Sequence, residues 1–246
     1  MLAGVVIYKS DDLEKTTDDF LRHLIDMREV GLPKELGIQQ SVVNTPDGKV
    51  LVMGFMWSSE DMETGHTYLR KISSFRKPLH TQVVQTTLPE WLKVSGSFPP
   101  KRAYGAICTV RVREETDEVA AVLARYAREM PLDPGVLYSV HEVRGASARP
   151  NPDSIFSARE RHFLIECVGT STEAGKSKAA WDWALALRDA LHKTAKENIV
   201  PGSYLPLNPP DEVDTSEVYG QNWQRFKDIK NRYDPGNIFR SALPQF

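Results

Sequence analysis

Seven stretches of the chain are apolar in alternation or in short β-branched runs: residues 4–8 (GVVIY), 38–44 (IQQSVVN), 49–57 (KVLVMGFMW), 80–86 (HTQVVQT), 103–112 (AYGAICTVRV), 135–143 (GVLYSVHEV) and 161–169 (RHFLIECVG). These are the marks of β-strands. Between them, residues 12–27, 59–72, 116–130 and 173–198 place apolar side chains three and four apart, the spacing of helices that bury one stripe. Thr45-Pro46-Asp47-Gly48 joins the second and third strands as a hairpin turn, because proline presets φ and glycine supplies a positive one.

The resulting order is strand, helix, strand, strand, helix, strand, and then strand, helix, strand, strand, helix. It predicts an α+β fold: a mostly antiparallel sheet of about seven strands with helices on one face, built from two ferredoxin-like-type halves. The Ser/Gly/Pro cluster at 95–102 marks the seam. Residues 1–198 form the main unit and 199–246 a C-terminal segment packed on it. That segment opens with a proline-rich stretch without period and continues into an amphipathic helix over 215–233, with Trp223, Phe226 and Ile229 at helical spacing. Asp234-Pro235 ends the helix, since the residue before proline leaves the α region.

Composition narrows the partners. A net charge of −2 and a pI near 6.3 give no basic footprint for phosphate, so nucleic acid is excluded as a partner. The apolar run at the N-terminus stops at Lys9, short of a signal-peptide core and far short of the ~20 residues that cross a bilayer. Cys108 and Cys167 each sit inside an apolar run, as buried reduced thiols do. A cytoplasmic protein without membrane contact is expected.

Several chemistries lack candidates. "GTSTEAGKS" at 169–177 follows a strand and opens a helix, but its first glycine is one residue too far from Gly175 for a phosphate-binding loop. No two of the six histidines stand at metal-ligand spacing, and neither cysteine sits in an activating context. The strand "LYSVHEVRG" holds more: alternation sets Tyr138, Val140, Glu142 and Arg144 on one face and Leu137, Ser139, His141 and Val143 on the other. Either Glu142 and Arg144 form a solvated pair, or their face floors a cavity. In the second case Glu142 or His141 serves as acid/base, Tyr138 lines the floor, and Arg144 or Arg159 binds an anionic oxygen.

The tail "VYGQNWQRFKDIKNRYDPGNIFR" resembles the C-terminal segment of the berberine bridge enzyme-like oxidases, with Tyr219, Gly220, Asn222, Trp223, Arg225, Phe226, Ile229, Lys230, Tyr233, Asp234, Pro235, Asn237 and Phe239 in register. Residues 138–166 are similar to a family strand pair with a "PHR" segment, of which Arg159 remains. "PGSYLPL" at 201–207 is similar to a family "GAYVN" motif, with Pro206 in place of the asparagine and Tyr204 matching a tyrosine near the substrate. The resemblance implies the substrate domain of such an oxidase, whose FAD is held by a separate N-terminal domain that this sequence does not offer.

Three functions are therefore open. The first is a cofactor-independent tailoring enzyme of secondary metabolism, such as a cyclase, isomerase, dehydratase or pericyclase, with Tyr204, Glu142 and His141 catalytic. The second is the substrate-binding subunit or fragment of an FAD-dependent oxidoreductase, and the third a non-catalytic binding module. No cofactor of its own, a small-molecule substrate and a homodimer covering the free sheet face are expected, with Tyr233 and Phe239 sealing the last helix against the sheet.

Overall fold

In the computed structural model, which describes residues 1–97, 102–155 and 158–240, seven strands form one sheet. They are β1 (Leu2–Tyr8), β2 (Leu36–Thr45), β3 (Gly48–Trp57), β4 (His80–Gln85), β5 (Tyr104–Val112), β6 (Val136–Val143) and β7 (His162–Ser171). Their order is β4-β1-β3-β2-β6-β7-β5 and every pairing is antiparallel. The first half, with helices α1 (Leu13–Val30) and α2 (Met62–Ser73), is a complete ferredoxin-like β-α-β-β-α-β unit. The second half, with α4 (Asp117–Glu129) and α5 (Ser177–Leu191), repeats its first three strands in mirrored order and joins the first through β2 and β6. The expected α+β architecture is the one found.

The second half has no strand to match β4. In that place the chain after α5 runs along the outer edge of β5: Ile199 bridges Val112, Val200 N–H donates to Arg111 O at 2.9 Å and Arg113 N–H to Asn198 O at 2.8 Å. An edge that would expose unpaired backbone is thereby partly closed. A further helix, α3 (Leu88–Ser95), was not expected from the sequence. It is capped by Thr87 and Glu90 in a reciprocal capping box but buries none of its residues, so local chemistry rather than an apolar stripe makes it. Positions 98–101 of the expected seam lie outside the described residues.

Helices cover one face only. α1 starts at Asp12, whose carboxylate accepts from Lys15 N at 3.0 Å, and stops at Gly31 with φ 99°, a conformation that favours glycine. Its buried stripe of Phe20, Leu21 and Leu24 meets Tyr8, Met53, Phe55, Tyr138 and Phe163 from the sheet, and α4 and α5 add Leu123, Ala127, Ala184 and Leu187 to the same core. Cys108 and Cys167 face each other across β5 and β7, buried and free. The opposite face, bearing Val43, Val52, Leu137, His141, Leu164, Glu166 and Val168, is only half-buried, and the loop at 199–208 crosses it over β5.

The tail departs from expectation in two ways. Instead of one helix, α6 (Thr215–Tyr219) and α7 (Trp223–Tyr233) are separated by a short 3-10 turn at Gly220–Asn222, where Gly220 has φ 51°. Tyr219 and Phe226 stack at 4.4 Å between ring centroids. Tyr233 and Phe239, expected to seal the helix, are instead 72% and 65% exposed. The inward packing is done by Tyr219 and Phe226. Asp234 does fix the following turn: its carboxylate accepts from Ile238 N (2.7 Å), Phe239 N (3.1 Å) and the Lys230 ammonium.

The glycine that opens "GTSTEAGKS" is explained by packing. A Cβ on Gly169 would stand 2.8 Å from Ala180 O and from Ala184 Cβ, so Gly169 lets α5 lie close on β7. Around Gly175 nothing lies within 4 Å. Gly169→Ala is expected to lower the unfolding free energy by about 1–3 kcal/mol and Gly175→Ala to change it by less than about 0.5 kcal/mol. Urea denaturation of both variants checks this; equal stability would remove the close-packing account.

Candidate functional site

Strand β6 carries the candidate chemistry, and its pleat divides that chemistry between two sides of the sheet. Tyr138 and Val140 point into the core, each nearly fully buried, and Glu142 follows them on the helix side. Its carboxylate, 5% exposed, lies 3.3 Å from Arg161 Nε, 3.5 Å from Arg144 Nε and 3.7 Å from Arg28 Nε. Arg28 also holds Glu115 at 2.5 Å, and Gln40 donates to the other Glu115 oxygen. Burial pushes the Glu115 carboxyl upward while Arg28 and Gln40 pull it back. Arg144 spends its remaining donors on the carbonyls of Leu32, Pro33 and Leu36, tying the α1–β2 loop to the end of β6. Arg28 and Arg161 flank the Phe163 ring at 4.6 and 5.4 Å. The cluster borders a cavity of about 620 Å³.

On the other side the geometry is different. His141 Nε2 lies 3.3 Å from Glu166 Oε1, reached diagonally because His141 pairs with Leu164 in the register. Next to it Ser139 accepts from Gln39 at 2.7 Å and shares a hydroxyl bond with Ser41 at 2.8 Å. Arg111 and Thr109 of β5 face the same way and anchor the loop at 199–208. The Arg111 guanidinium donates to Gly202 O at 2.9 Å and to Pro201 O; Thr109 Oγ1 accepts from Tyr204 N at 3.3 Å and from Asn208 Nδ2 at 2.7 Å. Tyr204 is thereby held over the sheet, 37% exposed. It lines a cavity of about 380 Å³ with Arg111, His141, Glu142, Val143, Ser147, His162, Leu164 and Glu166.

Of the six residues the sequence singled out, the structure brings Tyr204 and His141 together. Glu142 borders the same cavity, while its carboxylate is held among Arg28, Arg144 and Arg161. Arg144 is consumed by backbone carbonyls. Tyr138 lies in the core, where burial pushes its hydroxyl well above the ordinary tyrosine range, and it cannot line a substrate floor. Arg159 borders a separate groove with Asn151, Ser154, Gln221 and Asn222. The face bearing Glu142 and Arg144 is the helix-covered one: the two border the cavity of about 620 Å³, and the alternative of a solvated pair fails, because both are buried in a network. The sequence missed Glu166, a charge inside the apolar run LIECV, and His162, as well as Arg111 and Thr109, whose contacts are with a loop that follows them by about ninety residues.

The family model "Berberine and berberine like" matches residues 207–244. Over 97% of its length the chain is 22% identical to an FAD-linked oxidoreductase, aurO, of Gibberella zeae, covering 46% of that protein. Its fold superposes on 6-hydroxy-D-nicotine oxidase from Arthrobacter nicotinovorans (TM-score 0.72, 14% identity, 96% of this chain and 52% of that one). It also superposes on GilR, an oxidoreductase of gilvocarcin biosynthesis in complex with pregilvocarcin (TM-score 0.71, 18% identity, 96% and 54%). The chain resembles the berberine bridge enzyme-like oxidases. It spans about half the length of these relatives.

The FAD of such oxidases finds a poor fit among the described residues. Pyrophosphate needs a glycine turn whose amides converge at a helix N-terminus, and the one candidate uses Gly169 for helix packing, while Lys176 pairs with Glu173 at 2.8 Å. No cluster of His, Cys, Asp or Glu among the described residues could hold a metal, and no described helix is long and apolar enough to cross a membrane.

The two faces of β6 are expected to answer mutation differently. Glu142→Gln leaves three guanidinium groups around a neutral amide and should cost about 3 kcal/mol of stability; His141→Ala, at a half-open site, should cost less than about 1 kcal/mol. Thermal melts of both variants test the assignment, and a Glu142→Gln melt matching the parent would overturn it.

Proposed function

We propose that this chain is the substrate-binding half of an FAD-linked oxidase architecture, and that the cavity beside Tyr204 takes a small organic molecule. The observation that carries this reading is the convergence of Tyr204, His141 and Glu166 on the sheet face that the helices leave free. A tyrosine hydroxyl both donates and accepts, and an imidazole beside a carboxylate can take a proton while the carboxylate compensates the new charge. Leu164 and Val143 supply the apolar walls that ligand pockets need. GilR acts in the biosynthesis of a natural product, which supports a natural-product substrate here. The residues of this chain would bind that molecule, orient it and move its proton.

A second reading is favoured by one observation: Tyr204, His141 and Glu166, which could relay a proton, all belong to this chain and line the same cavity. A cyclase, isomerase or dehydratase of the kind expected from the sequence needs such a set and a shaped cavity, without a redox group. In that case the free face would be covered by a second copy of the chain, since large apolar patches are rarely left bare.

The two readings separate on an absorbance scan from 350 to 500 nm of protein purified with and without added FAD, followed by assay under anaerobic conditions. The first reading expects no flavin bound by this chain alone and activity only once a flavin-bearing partner and an oxidant are supplied. Turnover that persists without flavin or oxygen would instead promote the second. In either case Tyr204→Phe should lower turnover on the order of 10²-fold while leaving the melting temperature unchanged; an unaltered rate would move the site away from Tyr204. Light scattering completes the comparison: a species at 27.8 kDa counts against the homodimer.

A further inference from the structure

The cavity beside Tyr204 holds a second histidine to which the proton-transfer set gives no task. His162 opens β7 opposite Val143, on the same face as Leu164 and Glu166, and its ring lines the cavity although the residue is only 1% exposed. Its Nδ1 lies 2.8 Å from the carbonyl oxygen of Glu160. A carbonyl only accepts, so Nδ1 carries the proton, and in the neutral ring Nε2 is left with a lone pair. Burial pushes the ring's titration below its ordinary value, with Arg111 and Arg113 adding to the effect and the Glu160 carbonyl and carboxylate opposing it.

The rest of the wall shares this character. Ser147 spends its hydroxyl proton on Arg144 O at 2.9 Å and turns lone pairs outward, and Glu166 is a carboxylate. Arg111, the strongest donor nearby, is occupied by the carbonyls of Pro201 and Gly202. Acceptors thus predominate in the cavity, beside apolar Leu164 and Val143 and the ring of Tyr204, whose hydroxyl can donate as well as accept, and an O–H donor on a flat apolar body suits such a wall. We propose that His162 Nε2 is a ligand-contacting acceptor that receives the hydroxyl of a hydroxylated aromatic molecule. The inference rests on the cavity being the binding site, as proposed above.

The experiment uses the full chain labelled with ¹⁵N-histidine, phenol as probe and anisole, its methyl ether, as the matched molecule without a donor. Long-range ¹H–¹⁵N correlation at neutral pH is expected to show His162 protonated at Nδ1 with a pyridine-type Nε2. Phenol should shift the Nε2 resonance and anisole should not. His162→Phe should weaken phenol about fivefold, the loss of one neutral hydrogen bond, and leave anisole unchanged, while His162→Asn, which keeps an acceptor, should recover part of the affinity. Proton on Nε2 in the free protein, or equal responses to phenol and anisole, would overturn the inference. If His141 responds to phenol and His162 does not, His162 alone loses its role; if neither responds, the cavity itself is not a site for such ligands and both readings fall.

Discussion

Alternation along one strand, β6, organises this molecule. Consecutive side chains of a strand point to opposite faces, and here the faces meet different environments: helices on one side, a half-open surface on the other. Glu142 therefore enters a space that would be intolerable for an unpaired carboxylate, and Arg28, Arg144 and Arg161 surround it. His141, one residue earlier, escapes that demand and sits beside Glu166 on the half-open face. A shift of one residue in the β6 register would exchange the two, placing a histidine in the arginine cluster and a carboxylate over the cavity.

The edge strand β5 sets the second condition. Because the second half lacks a counterpart to β4, the open edge is taken by the chain after α5, which brings Pro201 and Gly202 to Arg111 and Tyr204 to Thr109. A buried guanidinium needs acceptors for its donors, and the loop's carbonyls supply them. Arg111 thus fixes the loop that carries Tyr204 over the sheet.

Similarity to the berberine bridge enzyme-like oxidases and the geometry of the site bear on different questions. Superposition at 14–18% identity speaks to the fold, and a fold hosts many chemistries. The reading proposed for this chain rests instead on Tyr204, the His141–Glu166 pair and His162, which line one cavity. These are proton-handling and recognition groups, compatible with an oxidase's substrate half and with a non-redox transformation alike, so the presence or absence of a flavin partner decides between the two.

The sequence by itself determined much of the architecture. Two-residue and 3.6-residue periods marked all seven strands and the main helices, since burial of one face imposes those periods on any chain, and the tail motif carried the family resemblance because Asp234 and Pro235 fix a local turn. Alternation also placed Glu142 and His141 on opposite faces, yet it could not say which face the helices cover. Helix α3 escaped because capping, not apolar spacing, forms it, and the exposure of Tyr233 and Phe239 escaped because aromatic residues are not always buried by the element they terminate. Only the tertiary structure decided the site. Arg111 and Thr109 lie some ninety residues before the loop that carries Tyr204, Glu166 reaches His141 through a strand register, and the tautomer of His162 depends on a carbonyl two residues away whose direction the backbone fixes. Such contacts are set by how the chain returns along the β5 edge, and no local pattern of residues encodes that return.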